Sequence, residues 1–153
     1  MRRVLRLASF LVLAFLACGK ASSRLSGKTV AVHDGDSITI LVAGNRQVKV
    51  RLYGIDAPEF SQAFGTKAKM FLSSLVFGRD VRVLQVDTDR YGRVVGNVYL
   101  DPDALYVNAE VVRAGFAWHF ICYASGDEEL ARLEREARSA HRGLWAEPGK
   151  QCN

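Results

Sequence analysis

The chain has 153 residues, of which 21 are basic and 16 acidic, and its formal net charge is +5. Four of the basic residues lie in the first 21 positions, which contain no acid, so residues 22–153 carry 17 basic and 16 acidic side chains. This net charge of +1 excludes a uniformly basic domain, and any recognition of a polyanion must be local. The length, without repeats or low-complexity segments, predicts one domain with a substantial core.

The first residues have the pattern of an export signal. Three arginines precede an apolar run, Leu7–Ala17, that is short for a membrane span. Either residues 1–17 are removed and Cys18 is lipidated, or cleavage falls a few residues later. We therefore predict a signal over residues 1–21 and a domain over 22–153. The protein is then exported, and is secreted, periplasmic or anchored to a membrane as a lipoprotein.

Two cysteines remain in the predicted domain, Cys122 and Cys152. In an oxidising compartment we predict that they form a disulfide joining the C-terminal tail to the body of the domain. The alternatives are two unpaired thiols, or a zinc site that also includes His119. The spacing of these residues matches no common zinc pattern.

Three consecutive strands are predicted at the start of the domain. Alternating strand formers place them at Thr29–Val32, Ser37–Val42 and Gln47–Ile55. The turn between the second and third contains Gly44 and Asn45, which suit a positive φ. Antiparallel pairing would bring the Asp34-Gly35-Asp36 turn close to Asp56, at the end of the third strand. Acids that are distant in sequence are therefore expected to meet.

The rest of the chain alternates between helical and strand patterns. Helical periodicity predicts three helices, and alternation predicts two more strands. The helices are Phe64–Phe77, Leu105–Ala114 and Glu128–Ala140, the strands are Arg79–Val86 and Val94–Leu100, and Phe116–Tyr123 is an apolar extended segment. This order predicts an α+β, mainly β, fold: a five-stranded OB-fold β-barrel with three α-helices.

The segment from Arg51 to Glu59 carries a basic residue and two acids around a proline turn. Arg51 and Asp56 are an odd number of residues apart, so a regular strand would place them on opposite faces. A twist or bulge at Gly54 is needed for both to face one phosphate. We also expect Arg51 to pair with Glu59 at rest. A guanidinium, two carboxylates and a turn carbonyl suit a site that holds a hard cation beside a phosphate.

The chain resembles the staphylococcal nuclease family in four motifs that follow one another in the same order. These are Val32–Ser37, Val50–Glu59, Asp89–Arg93 and Ala140–Trp145. The resemblance extends from about Thr29 to Trp145. It implies a calcium-dependent phosphodiesterase on an OB-fold barrel that cuts DNA and RNA, with single strands preferred, and acts as a monomer. It also implies that the 5′ oxygen–phosphorus bond breaks, which leaves 3′-phosphate ends.

The resemblance assigns the calcium ligands. By this comparison Asp36 and Asp56 supply carboxylates, the backbone carbonyl of Ala57 supplies a third ligand, and Asp34 reaches the ion through water. Calcium accepts several oxygen ligands in irregular geometry, which agrees with such a set.

The resemblance also assigns the residues that act on phosphate. Glu59 matches the general base, and Arg51 and Arg93 match the two guanidiniums that hold the scissile phosphate. A positioned carboxylate can take a proton from water. Arginines can bind phosphate oxygens bidentately where charge develops in the transition state.

Three further positions match residues near the bound nucleotide: Arg90, Tyr91 and Tyr123. An aromatic ring there can stack on a base. The chain departs from the best-known family member at Ile121, where that member has a binding tyrosine, and its loop after Glu59 is shorter.

A second function is compatible with the same fold, a non-catalytic OB-fold module that binds nucleic acid or protein. Family domains of this kind typically lose the acids or the arginines. Here Asp36, Arg51, Asp56, Glu59 and Arg93 are all present, which favours an enzyme. A lipoprotein with a structural calcium would not need two arginines aimed at the ion.

Overall fold

The computed structural model describes residues 23–146. The predicted signal, with Cys18, and the predicted disulfide partner Cys152 lie outside these residues. The strands are β1 (Arg24–Val32), β2 (Ser37–Val42), β3 (Arg46–Leu52), β4 (Ile55–Asp56), β5 (Asp80–Thr88), β6 (Val94–Leu100), β7 (Leu105–Tyr106) and β8 (Trp118–His119). The helices are α1 (Gly65–Val76), α2 (Val107–Arg113), α3 (Ile121–Ala124) and α4 (Glu128–Ser139). No helix in this part of the chain is long and apolar enough to cross a membrane.

Five of the strands close into a barrel. They pair in the order β3-β2-β1-β5-β6, and β3 also pairs with β6, so the sheet returns on itself. The closing pair is parallel and joins Val50–Leu52 to Val94–Gly96, whereas the other pairs are antiparallel. Closure leaves these strands without an open edge. The predicted mainly β, five-stranded OB-fold barrel is confirmed.

Alternate residues of the barrel strands form the core. Side chains of successive residues point to opposite faces of a strand, so every second residue points into the barrel, and most of these residues are apolar. The inward residues of β2 and β3 that are buried are Ile38, Ile40, Val42, Val48, Val50 and Leu52. Helix α1 contributes Ala68, Leu72 and Val76 from one face, and α4 contributes Leu130, Leu133 and Ala137.

The third strand is shorter than predicted. It ends at Leu52, and Gly54 has a φ of 74°, a conformation that glycine adopts at low cost. After this turn, Ile55 and Asp56 pair with β8 instead of continuing along the barrel. The expectation that the chain departs from regular pleating at Gly54 is met, because a turn at this glycine separates Arg51 from Asp56.

The prediction of an extended segment over Phe116–Tyr123 is wrong in its second half. Only Trp118–His119 is a strand, and α3 is a single helical turn that adds a fourth helix to the three predicted. The backbone N–H of Phe120 donates to the carbonyl of Gly54, and the Tyr53 hydroxyl donates to the carbonyl of Tyr123. These contacts with a distant turn decide the conformation, and apolar composition alone could not indicate them.

Asn108 connects α2 to the barrel and to the turn after β3. It is fully buried; its Oδ1 accepts from the N–H of Val98 at 3.0 Å, and its Nδ2 donates to the carbonyl of Tyr53 at 2.9 Å. A buried amide that is hydrogen-bonded through both its oxygen and its nitrogen favours one arrangement of its neighbours. The turn that separates Arg51 from Asp56 is therefore held from inside the protein.

We predict that Asn108→Ala lowers the free energy of unfolding by about 3 kcal/mol, because it leaves the buried N–H of Val98 and the partly buried carbonyl of Tyr53 without this partner. Urea unfolding measures the change. Asn97→Ala is the matched control, because Asn97 is only partly buried and accepts one bond, from the Tyr106 hydroxyl. Its cost should stay below about 1 kcal/mol. Equal losses in the two variants would contradict this account of Asn108.

Candidate active site

Arg51 joins two carboxylates from different parts of the chain, Asp36 in the turn before β2 and Asp56 in β4. Its Nη1 lies 3.0 Å from Asp36 Oδ1, and its Nη2 lies 2.6 Å from Asp56 Oδ1. Register explains the first contact, since Ser37, the residue after Asp36, is the cross-strand partner of Arg51. The turn at Gly54 explains the second. The planar guanidinium can donate to two acceptors at once. The expected ion pair between Arg51 and Glu59 is not formed.

Asp36 is a buried carboxylate with a full set of partners. Its side chain is 3% exposed and accepts from the Ser37 hydroxyl, the Arg51 guanidinium and the N–H of Ala57. Burial raises the pKa of Asp36 to about 7; Arg51 opposes this rise and Asp34 adds to it. Burial works against the charge of Arg51, yet Asp36 and Asp56 raise the pKa of that guanidinium above its usual value. Asp34 and Asp36 are therefore two neighbouring acids that repel each other at one end of the barrel.

Arg93 reaches the same place from the loop between β5 and β6. Its Nη1 donates to Ser37 Oγ at 3.4 Å, and this hydroxyl in turn donates to Asp36. Its Nε lies 2.6 Å from Asp89 Oδ2. Burial opposes the charged form of Asp89, but hydrogen bonds from the backbone and side chain of Arg93 and the N–H of Tyr91 hold its pKa below the usual value. Asp89 therefore orients Arg93 toward the buried acid.

Glu59 lies on a tight turn two residues after Ala57, whose N–H donates to Asp36. Its side chain is exposed, and it forms no salt bridge with any residue in 23–146. Its backbone is tightly held: its N–H donates to Gln62 Oε1 at 2.8 Å, and its carbonyl accepts from the N–H of Gln62. A Cβ on Gly65 would lie 1.9 Å from the carbonyl oxygen of Glu59. Only glycine fits at this approach of two backbone segments.

Gln62 and Gly65 were not among the candidate site residues identified from the sequence. Their role depends on contacts with Glu59 across the turn, which the sequence does not show. The one available signal was the short spacing between Glu59 and the start of α1. Ser37, which joins Asp36 to Arg93, was also missed, because a serine inside a strand pattern carries no signal of its own.

The three residues predicted near the nucleotide are exposed, and two of them, Arg90 and Tyr91, lie close to Arg93. Tyr91 is 69% exposed, and its ring lies 4.9 Å from the guanidinium of Arg90 and 5.7 Å from that of Arg93. Tyr123 is 70% exposed on α3, with its ring 5.1 Å from that of Phe120. Exposed rings beside guanidiniums can receive a planar group. Cys122, between Ile121 and Tyr123, is exposed as well, and its pairing with Cys152 stays a prediction.

Asp36 and Asp56 each contact the guanidinium of Arg51 and, in the described part of the chain, do not form a ready metal site with a third ligand. Within residues 23–146, no three His, Cys, Asp or Glu side chains form a cluster ready to hold a metal ion. His119, which appeared in the zinc alternative, is buried, and its Nε2 lies 2.7 Å from the carbonyl of Ala124. The donors at the cluster are carboxylates and a backbone carbonyl, which are hard oxygen ligands.

A closed five-stranded barrel that carries such a cluster at one end defines a protein of the OB-fold class. Residues 49–147 match the family model described as staphylococcal nuclease homologue. The chain belongs to the staphylococcal nuclease family, and it is a nuclease.

Relatives support this assignment. The chain is 42% identical to Protein ParB of Escherichia coli, over 95% of this chain and 85% of that protein. It is 40% identical to a micrococcal nuclease of Shigella flexneri, over 82% of this chain and 76% of the relative. It is 38% identical to an uncharacterized endonuclease of Haemophilus influenzae, over 95% and 80% of the two chains. The matches cover most of each relative.

We predict that Gly65→Ala lowers the free energy of unfolding by about 2 kcal/mol, because the new Cβ forces the backbone of Glu59 to move. It should also lower kcat for DNA hydrolysis by roughly 100-fold if Glu59 takes part in the reaction. Urea unfolding and initial rates measure both effects. Gly126→Ala is the control, because a Cβ there meets nothing within 4 Å. Unchanged stability in Gly65→Ala would contradict the packing described here.

Proposed function

We propose that the protein is an exported, calcium-dependent phosphodiesterase that hydrolyses DNA and RNA and leaves 3′-phosphate ends. The observation that carries the proposal is the connected set Arg51–Asp36–Ser37–Arg93, which directs two arginines to one buried acid. Hydrolysis of a phosphodiester needs charge stabilisation at phosphorus and a base for water, and the site has residues for both.

Arg51 and Arg93 are the proposed phosphate ligands. Arginine binds phosphate oxygens through two parallel N–H bonds, and the interaction strengthens as charge grows on those oxygens. Both side chains are partly exposed, 22% for Arg51 and 26% for Arg93, so an incoming phosphate can reach them. Their bonds to Asp36, Asp56 and Asp89 fix their orientation before substrate arrives, which reduces the cost of ordering them in the transition state.

Glu59 is the proposed general base. Its carboxylate is exposed and forms no salt bridge among the described residues, so it is available to accept a proton from a water molecule. The turn that Gln62 and Gly65 hold fixes the backbone from which this side chain extends. A mobile base would lose much of its advantage, because proton transfer needs hydrogen-bond distance.

The donors at the cluster, carboxylates and a backbone carbonyl, are of the hard oxygen type that calcium binds. Asp36, Asp56 and the carbonyl of Ala57 would hold it, with Asp34 acting through water. The pKa of Asp36 is raised by burial and by Asp34. A cation bound between two such acids would reduce the repulsion between their charges. When bound, the ion would polarise a phosphoryl oxygen and offset the charge that develops at phosphorus.

The alternative, an OB-fold module that binds without cutting, would not require Glu59 to be held on a tight turn. It would also not require two arginines to be oriented by Asp36 and Asp89. The enzyme is therefore the favoured proposal, with single-stranded DNA or RNA as substrate and a monomer as the active form.

We expect the purified domain to cleave single-stranded DNA with calcium and to stop when a chelator is added, and the products to carry 3′-phosphates. Glu59→Gln should lower kcat by roughly 100-fold or more, because water loses its base. Arg93→Ala should lower kcat by a similar factor, because one donor to the transition state is lost. End-group analysis and initial rates measure these outcomes.

Two matched controls accompany these variants. Glu128→Gln removes an exposed glutamate at the start of α4, and Arg135→Ala removes an exposed arginine from the same helix. Both should retain the activity of the unmodified protein. Binding of DNA without cleavage at any calcium concentration would reject the enzyme and favour the binding module.

Export is part of the proposal, and it depends on residues 1–21. If Cys18 is lipidated, cells grown with labelled palmitate should incorporate the label into the protein, and Cys18→Ser should abolish incorporation and release the domain from the membrane fraction. If cleavage instead follows a later residue, the N-terminal sequence of the mature protein will show it. Retention of the whole signal on a cytoplasmic protein would contradict export.

A further inference from the structure

A small pocket lies next to the Arg51–Arg93 cluster, and two of its lining residues, His33 and Lys49, have none of the roles assigned above. Its volume is about 130 Å³, and the charged or titratable residues that line it are His33, Asp34, Lys49 and Arg93. Arg90, Tyr91 and Tyr123, the residues predicted near the nucleotide, do not line it. Arg93 therefore borders this pocket as well as contacting Ser37 in the cluster.

The register of β2 and β3 places the pocket one step along the sheet from Arg51. Ser37 is paired with Arg51, and two residues further along the strands Thr39 is paired with Lys49. Residues two apart share a face of a strand and lie roughly 7 Å apart. This spacing is comparable with the distance between consecutive phosphates of one nucleic-acid strand. Lys49 and Arg51 thus lie on the same face of β3, at a spacing close to that of consecutive phosphates in the substrate.

His33 is held in place at the pocket. Its Nε2 lies 2.8 Å from the hydroxyl of Thr39, which is buried, so the imidazole is fixed against the strand that pairs with Lys49. Lys49 is exposed, and among residues 23–146 it forms no salt bridge. An exposed ammonium that forms no salt bridge with the described residues, beside a fixed imidazole, is a suitable partner for an anion.

We infer that this pocket is a second phosphate subsite, in which Lys49 and His33 bind the phosphate next to the scissile one. The inference rests on the proposed function, since it takes the Arg51–Arg93 cluster as the position of the scissile phosphate. Asp34 also lines the pocket, but Lys49 and Arg93 outnumber it, so the formal charge of the lining stays positive. The subsite selects for chain length, because a substrate with a single phosphate cannot fill it.

The test compares three substrates: a thymidine dinucleotide with one internal phosphate, the same dinucleotide with a 5′-phosphate, and the same with a 3′-phosphate. One end phosphate should raise kcat/KM roughly tenfold through Lys49. In Lys49→Gln that advantage should fall to about threefold or less. Lys28→Gln removes an exposed lysine from β1, outside the pocket, and should keep the full advantage.

Arg90→Gln separates this subsite from the predicted nucleotide-binding residues. It should reduce the advantage of the opposite end phosphate and leave the one that depends on Lys49. If Lys49→Gln and Arg90→Gln reduce the same advantage, or if Lys49→Gln reduces neither, the inference is overturned.

A binding measurement keeps the subsite testable if the protein cleaves nothing. Fluorescent oligothymidylate is titrated with chelator present, over a range of salt concentrations. Each phosphate neutralised on a single strand contributes about −0.7 to the slope of log K against log salt. Lys49→Gln should make the slope shallower by about that amount relative to Lys28→Gln. Equal slopes would refute the subsite, whereas binding with this difference but no cleavage would refute only the proposed hydrolysis.

Discussion

The double ion pair of Arg51 with Asp36 and Asp56 is the interaction on which the arrangement of the site depends. Asp36 is buried, and removing such a carboxylate from water is costly unless a cation and hydrogen bonds compensate for it. Arg51 supplies the cation, and Ser37 and the backbone of Ala57 supply the hydrogen bonds. Because Asp56 is reached only through the turn at Gly54, the barrel and this turn must form together for the cluster to exist.

The supports of this cluster come from distant parts of the chain. Closure of the barrel by β3 and β6 brings the loop with Arg93 to the start of β2. Asn108 on α2 holds the carbonyl of Tyr53, and Phe120, directly before α3, donates to the carbonyl of Gly54 in the same turn. A site built this way keeps its charged groups oriented before substrate arrives, whereas Tyr91 and Tyr123 stay exposed. A charged centre whose groups are oriented in advance suits a polymer whose phosphates repeat, and exposed aromatic side chains suit bases that vary.

The sequence predicted most of the fold, because period-two alternation and helical periodicity follow directly from which faces are buried. It located β2 and β6 with their observed ends, and it located α1 and α4 to within one residue at each end. It failed at α3, whose apolar residues also suit a strand and whose shape is set by contacts with Tyr53 and Gly54. It also expected Arg51 to pair with Glu59, since the two are close in sequence. The register instead places Asp36 beside Arg51.

At the candidate site too, the sequence determined some features and the tertiary structure decided others. By itself the sequence determined which chemical groups are available, since the motifs contain the acids, the arginines and the glycine at which the strand must turn. It also determined the family, through the order of those motifs. Only the tertiary structure decided which groups meet: Arg51 with two acids, Arg93 with Ser37, Gly65 against Glu59, and Lys49 beside His33 at one pocket. The physical reason is that these contacts depend on strand register and barrel closure, which join residues far apart in the chain.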